Sequence, residues 1–306
     1  MERGVFKRDV VKMLKRIWKL VSSSFQIWSA AKASRMAAAL TYFTMLSLAP
    51  LLMMAIAIAG FVFGDQLAEE EILEQATRFT TPEIASIVAG LIHNASQPAS
   101  GIVAGTISIF VLLFAASGVF SQLHDTFNDI WNLPPEKTSG FFFLIKQRLV
   151  GVGMVLIAGV VLLATIILST AIASLTEAYP ATKFWLNLAD RGVSYLLIPF
   201  LLATIYWLIP STKIEFRDVI PAAMLTAILV SISRYFIDLY LGFSSTSEVY
   251  GAAGSLVVLL IWIYINGLVV FYGASFSRAW AETFGSRSEP ALAAEESSKR
   301  LQASDS

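Results

Sequence analysis

The chain has 306 residues, of which 56% are hydrophobic and only 14% charged, a balance that excludes an ordinary soluble domain and implies a polytopic membrane protein. Its formal net charge is zero, so the information lies in how charge is distributed along the chain. Cysteine is absent and the only histidines are His93 and His124, which excludes disulfides and thiolate metal sites and argues against most zinc and di-metal hydrolases.

The N-terminal stretch "VFKRDVVKMLKRIWKLV" carries basic residues throughout and has no uninterrupted apolar core, so it does not read as a signal peptide. Phe6, Val10, Leu14, Ile17, Trp18 and Val21 recur at helical spacing, with Lys and Arg on the other face. This pattern predicts an interfacial amphipathic helix, in a basic arm over 1–35, lying on the anionic inner leaflet. Crossing a hydrocarbon core of about 30 Å takes roughly 20 mostly apolar residues. Six segments qualify, near 37–63, 102–123, 149–173, 192–210, 219–241 and 254–275. The expected fold class is therefore all-α, a bundle of six transmembrane helices over 36–280. Short helices are expected in the first outer loop at about 65–100, where Thr81-Pro82-Glu83 reads as a helix start. The small, polar tail over 281–306 reads as disordered.

Basic residues mark the cytoplasmic side. The arm is rich in them from Arg3 to Arg35, and Lys137, Lys146, Arg148, Lys213 and Arg217 follow in later links. The first link has Arg78 against Asp65, Glu69, Glu70, Glu71, Glu74 and Glu83. Both termini are thus expected in the cytoplasm, with Lys183 and Arg191 running against the rule.

Within the spans, Pro50 predicts a break in the first helix, and Thr41, Thr44 and Ser47 ahead of it either line a polar track or bond back to their own helix. Pro199 breaks the fourth helix at a matching place, as an inverted repeat would require, although the halves show no clear sequence similarity. Gly101 and Gly105 open the second helix at a close-packing spacing. At its far end His124, Asp125, Asn128 and Asp129 form either a metal or proton-relay site or a solvated, hydrogen-bonded helix end; with no second cluster to complete a ligand set, the helix end is the simpler reading. No metal or cofactor is expected.

In "LVSISRYFIDLYLG" Arg234 and Asp238 share one helix face. Arg234 lies roughly 22 Å along the helix from Val219, toward the outer surface. The pair serves structure, by pairing or snorkelling, or it grips an anionic or zwitterionic substrate. Asn266 in the last span reads first as interhelical glue and second as a substrate contact.

Several stretches together resemble the YihY/BrkB family of bacterial inner-membrane proteins: "ALTYFTMLSLAPLL" (39–52), "TFNDIWNLP" (126–134), "IPSTKIEFRDVIPAAMLTAIL" (209–229) with "YFIDLYL" after it, and "VYGAAGSLVVLLIWIYINGLVVFYGA" (249–274). The resemblance implies six membrane helices and suggests movement of lipids or other envelope components. Ser275 stands where it leads one to expect a glutamate, and Ala222 where it leads one to expect a glycine. The expected function is a transporter or flippase-like protein for a lipid or amphiphilic envelope component, with membrane lipids as partners, no nucleic acid and no enzymatic activity. The alternatives are a non-transporting membrane scaffold and, less well supported by the residues, a ribonuclease. A ribonuclease needs converging ligands and a basic phosphate groove.

Overall fold

The structure, a computed structural model, describes residues 2–63, 80–95, 118–134, 183–243 and 254–288, with single positions or short runs at 69–70, 72–74, 77, 153, 172 and 175. The described residues are helical, with no strand among them. Helices α1 (Glu2–Ala30), α2 (Ala33–Phe63) and α3 (Pro82–Ala95) are followed by α4 at 118–130. Then come α5 (Lys183–Leu208), α6 (Phe216–Phe243) and α7 (Gly254–Thr283). Phe216–Ile237 of α6 and Leu256–Thr283 of α7 are long and apolar enough to cross a membrane. The expected spans 37–63, 192–210, 219–241 and 254–275 fall on α2, α5, α6 and α7. The span expected at 149–173, apart from single positions 153 and 172, and all but the end of the one at 102–123 lie outside the described residues, as do Gly101 and Gly105.

α7 is the axis of the bundle, in contact with α1, α2, α3, α5 and α6. α6 shows why such a helix belongs in lipid. Its inward face buries Val219, Ala222, Ala223, Thr226, Ser233 and Ile237, while Phe216, Ile220, Met224, Ile228, Ile232, Phe236 and Leu239 form an exposed apolar stripe. A stripe of this length is a liability in water and the ordinary surface of a helix in hydrocarbon.

α3 starts as "TPE" predicts. Pro82 takes the first helical position, the Ala85 amide donates to Thr81 O (2.9 Å), and Thr81 Oγ1 accepts from the Ile84 amide (3.4 Å). Its Ile84, Val88 and Ile92 pack on Val258, Leu259 and Ile263 at the start of α7, so this helix covers one end of the bundle. At the opposite end, hereafter the basic end, α1 and α2 meet at a turn in which Lys32 holds a left-handed φ of 53°. The second half of α1 belongs to the bundle: Leu20 and Ser24 are buried, and Trp28 Nε1 donates to Leu268 O of α7 (3.2 Å). On its other faces Met13, Ile17, Trp18, Val21 and Phe25 are exposed beside exposed Lys15, Arg16 and Lys19.

Helices α5, α6 and α7 are locked at one point. Tyr206 Oη donates to Val270 O (2.9 Å) and lies 2.9 Å from Thr226 Oγ1. Both side chains press against Gly273, where an added Cβ would overlap Thr226 Oγ1 and Tyr206 Oη. Gly273→Ala is expected to lower stability by about 1–3 kcal/mol through this overlap. Gly192→Ala in α5, where nothing stands within 4 Å, should be neutral or stabilising by up to about 1 kcal/mol. Thermal unfolding of the purified variants in detergent checks both, and equal midpoints would refute the lock.

Candidate functional site

Of the polar side chains expected within the spans, Asn266 lies on the seam between α6 and α7. Asn266 lies roughly 15 Å along α7 from Leu256, near the middle of a hydrocarbon core of about 30 Å. Its Nδ2 donates to Trp262 O one turn earlier (2.8 Å), and its Oδ1 accepts from Ser233 Oγ across the seam at 3.4 Å. Ser233 Oγ also donates to Val230 O at 2.8 Å, so its single proton is shared and the cross-helix bond is the weaker of the two. Arg234, the next residue, is half-buried. The side chain of Asp238, and with it the expected pair with Arg234, lies outside the described residues. The structure therefore brings Asn266 to the turn that carries Arg234. It adds Ser233, which the sequence reading passed over because one serine in an apolar run carries no distinctive signal.

The hydroxyls of α2 lie on a separate helix. Thr41 is buried and donates to Ala37 O (2.7 Å), Ser47 is buried and donates to Thr44 O (3.0 Å), and Thr44 is half-buried. Both bonds run within their own helix, as hydroxyls in hydrocarbon commonly do. The side chain of Pro50 lies outside the described residues, while Pro199 is buried within α5. Ser275, at the position of the expected glutamate, is buried and donates to Phe271 O (2.9 Å).

At the basic end, His124, Asn128 and Ser211 tie the end of α4 to the loop before α6. The Ser211 amide donates to Asn128 Oδ1 (3.0 Å), Asn128 Nδ2 donates to Ser211 Oγ (3.2 Å), and His124 Nε2 lies 3.0 Å from the same hydroxyl. α4 closes with Asn132 in the left-handed region (φ 54°), its amide on Asp129 O (3.0 Å) and the Leu133 amide on Asn128 O (2.9 Å). These paired hydrogen bonds are those of a Schellman helix stop, which the sequence reading passed over although asparagine followed by Leu-Pro could have marked it. Asp218, 1% exposed in the first turn of α6, accepts from the amide and hydroxyl of Ser286. Arg287 donates to Thr212 Oγ1 (2.8 Å) and stacks 4.8 Å over the Trp131 ring. Ser286, Arg287 and Ser288, expected in a disordered tail, are thus bonded into the end of the bundle; 289–306 lie outside the described residues.

Helices long and apolar enough to span a bilayer and a lipid-compatible stripe on α6 define an all-helical membrane protein. The chain belongs to the BrkB family, since the family model described as Virulence factor BrkB matches residues 24–298. It is similar to a UPF0761 membrane protein of Alteromonas mediterranea, 25% identical over 252 residues that cover 80% of this chain and 82% of the relative. A UPF0761 membrane protein of Pseudoalteromonas translucida is 26% identical over 245 residues, 78% of each chain. One of Xanthomonas oryzae is 28% identical over 180 residues, 58% of this chain but only 41% of the relative's length. No solved structure matches the chain.

Partial desolvation at the basic end, reinforced by the neighbouring Asp125 and opposed by Lys32, raises the pKa of the partly exposed Asp129 carboxyl from its ordinary value. A raised folded pKa means that ionisation costs the fold stability. The cost is present above the folded pKa and is relieved as pH falls through it toward the unfolded value near 4. Asp129→Asn should therefore raise the apparent unfolding midpoint at neutral pH and leave it nearly unchanged at about pH 4. A variant that melts lower at neutral pH would show that the charge is favourable where it stands.

Proposed function

We propose that this chain is a transporter or flippase-like protein of the bacterial inner membrane that handles a lipid or amphiphilic envelope component. The observation that carries the reading is the polar seam between α6 and α7. Asn266 and Ser233 share a 3.4 Å bond beside half-buried Arg234, within helices otherwise built of lipid-compatible residues. Polar and charged groups in hydrocarbon are costly and concentrate where a substrate passes. A bond at the long end of the hydrogen-bonding range is exchanged at little cost for one to a headgroup oxygen. In this reading Arg234 grips the anionic group, Asn266 and Ser233 hold its neutral oxygens, and Pro50 and Pro199 mark where α2 and α5 give way. The reading assigns the chain no catalytic residue and no nucleic-acid partner.

A membrane scaffold without a pathway is the second reading. It is favoured by the hydroxyls of Thr41 and Ser47, which bond within their own helix. Purified protein in liposomes separates the two. Transport predicts that a fluorescent phospholipid analogue crosses the bilayer, and that Arg234→Ala or Asn266→Leu slows it by about tenfold, the loss of one charged or buried polar contact. Failure of the wild-type protein to move any envelope lipid would leave the scaffold.

In the same reading both termini and the basic end face the cytoplasm, following the Lys and Arg bias, and exposed Lys15, Arg16 and Lys19 of α1 rest on the anionic inner leaflet. The absence of cysteine makes single-cysteine labelling clean. Ser86→Cys on α3 is expected to react with a membrane-impermeant maleimide added to spheroplasts, and Ser29→Cys on α1 only after lysis. The reverse pattern sinks the orientation.

A further inference from the structure

A cavity of about 660 Å³ opens at the basic end where α1, α2, α4 and the end of α7 converge. Its polar lining is Gln26, Lys32, Arg35, Asp129, Asn132 and Arg278; with Arg278 paired to Glu282, Lys32 and Arg35 stand against the one carboxylate of Asp129. Arg278 is a fixed wall, since its Nη1 donates to Ile130 O (2.6 Å) and its Nε to Glu282 (2.7 Å). Arg35 stands on the first turn of α2 and Lys32 in the turn before it, so the positive end of a 31-residue helix adds to their charge. The opposing negative end of α4 is already occupied: Asn128 O, Asp129 O and Ile130 O accept from Leu133, Asn132 and Arg278. The field in the cavity therefore favours an anion. The volume accommodates a headgroup-sized ligand, far more than one small ion.

We propose that this cavity is a binding site for a phosphate group, gripped by Lys32 and Arg35 against the wall made by Arg278 and Asn132. Arg278 lies roughly 33 Å along α7 from Leu256, about the full thickness of a hydrocarbon core, which sets the site at the depth of phospholipid headgroups. Its chemistry fits either a phospholipid headgroup or a soluble phosphate. The site is roughly 18 Å along α7 from Asn266 and does not depend on the transport reading.

Purified full-length protein in neutral detergent provides the test, read as the ligand-dependent rise in unfolding midpoint. The probes are dioctanoyl phosphatidic acid, dioctanoylglycerol, which lacks the phosphate, and inorganic phosphate. Saturable stabilisation by the phosphatidic acid and none by dioctanoylglycerol is expected. Lys32→Asn, which keeps a residue tolerant of the left-handed backbone, and Arg35→Gln should each weaken binding by about tenfold. Arg35→Lys should retain affinity within about threefold, and Asp129→Asn should tighten it, a pairing of opposite signs that a general loss of folding cannot produce. Binding of phosphatidic acid alone identifies a lipid headgroup, and binding of inorganic phosphate as well identifies the phosphate group as sufficient. Absence of saturable binding by both phosphate probes overturns the site, as does equal affinity in wild type, Lys32→Asn and Arg35→Gln.

Discussion

The hydroxyl of Tyr206 fixes how the bundle is assembled. In hydrocarbon a polar group without a partner is costly, and here two hydroxyl protons, those of Tyr206 and Thr226, serve contacts to each other, to Val270 O and to Ala222 O. The arrangement that uses both protons between helices runs from Thr226 Oγ1 to Tyr206 Oη and from Tyr206 Oη to Val270 O. It joins α6 to α5 and α5 to α7 through one buried chain. Phe127 of α4 covers it, its ring centroid 5.7 Å from Tyr206 and 6.1 Å from Phe271 in an edge-on contact. A shift of any of these three hydrogen-bonded helices by one residue would break a hydrogen bond that has no solvent to replace it. The register of α7 against its neighbours is set there, and the register decides which residues face inward.

The polar chemistry of the protein is strung along α7 from that point. Four residues before Val270 stands Asn266 on the seam with α6; eight residues after it stands Arg278 at the basic end. Between them, Ser275 and Ser277 are buried and bond to backbone carbonyls, Ser275 to Phe271 O and Ser277 to Asp218 O. Serine in place of the expected glutamate keeps this middle stretch neutral. A carboxylate there would sit in a fully buried wall and need a cation of its own. Charge is instead displaced to the end of the helix. There buried Asp218 lies in the first turn of α6, where the helix dipole favours a negative group, and Ser286 donates to it twice. Gly285 makes the approach possible, because a Cβ at that position would overlap the Asp218 carboxylate.

Hydrophobic runs made α2, α5, α6 and α7 legible in the sequence, because hydrocarbon imposes length and apolarity on each helix separately. The start of α3 was legible for a comparable reason: Thr81 and Pro82 act within one turn. What the sequence did not disclose depends on contacts across long separations. Nothing local marks Tyr206 as the partner of Thr226 and Val270, or Asp218 as the anchor of Ser286. The cavity at the basic end was hidden in another way. Lys32 and Arg35 read as members of a basic arm, and Asp129 as part of an acidic helix end. Only the turn at Lys32, with its left-handed backbone, folds the arm back against α4 and α7 and sets these charges around one space. Seam residues were half legible: Asn266 and Arg234 stood out as polar in apolar spans, but their proximity rests on the register that Tyr206 sets.

α1 shows how one amphipathic pattern can serve three environments. An ordinary surface helix divides into an apolar and a polar face. This one does so too: buried Leu20 and Ser24 share the apolar side with Met13, Ile17, Trp18, Val21 and Phe25, which are uncovered, and Lys15, Arg16 and Lys19 lie on the other. Two faces are enough for a helix lying on a membrane alone, and two for a helix packed on protein in water. Here the apolar side is divided between residues that the bundle buries and residues that it leaves uncovered. The bond from Trp28 to Leu268 O holds the second half of α1 on the bundle and so fixes the rotation of the whole helix about its axis. In the membrane reading, that rotation turns the uncovered apolar face toward acyl chains and the lysines toward headgroups. The same rotation brings Gln26 and Ile27 to the rim of the basic cavity, so the helix proposed to rest on the inner leaflet also forms part of the wall of the proposed phosphate site.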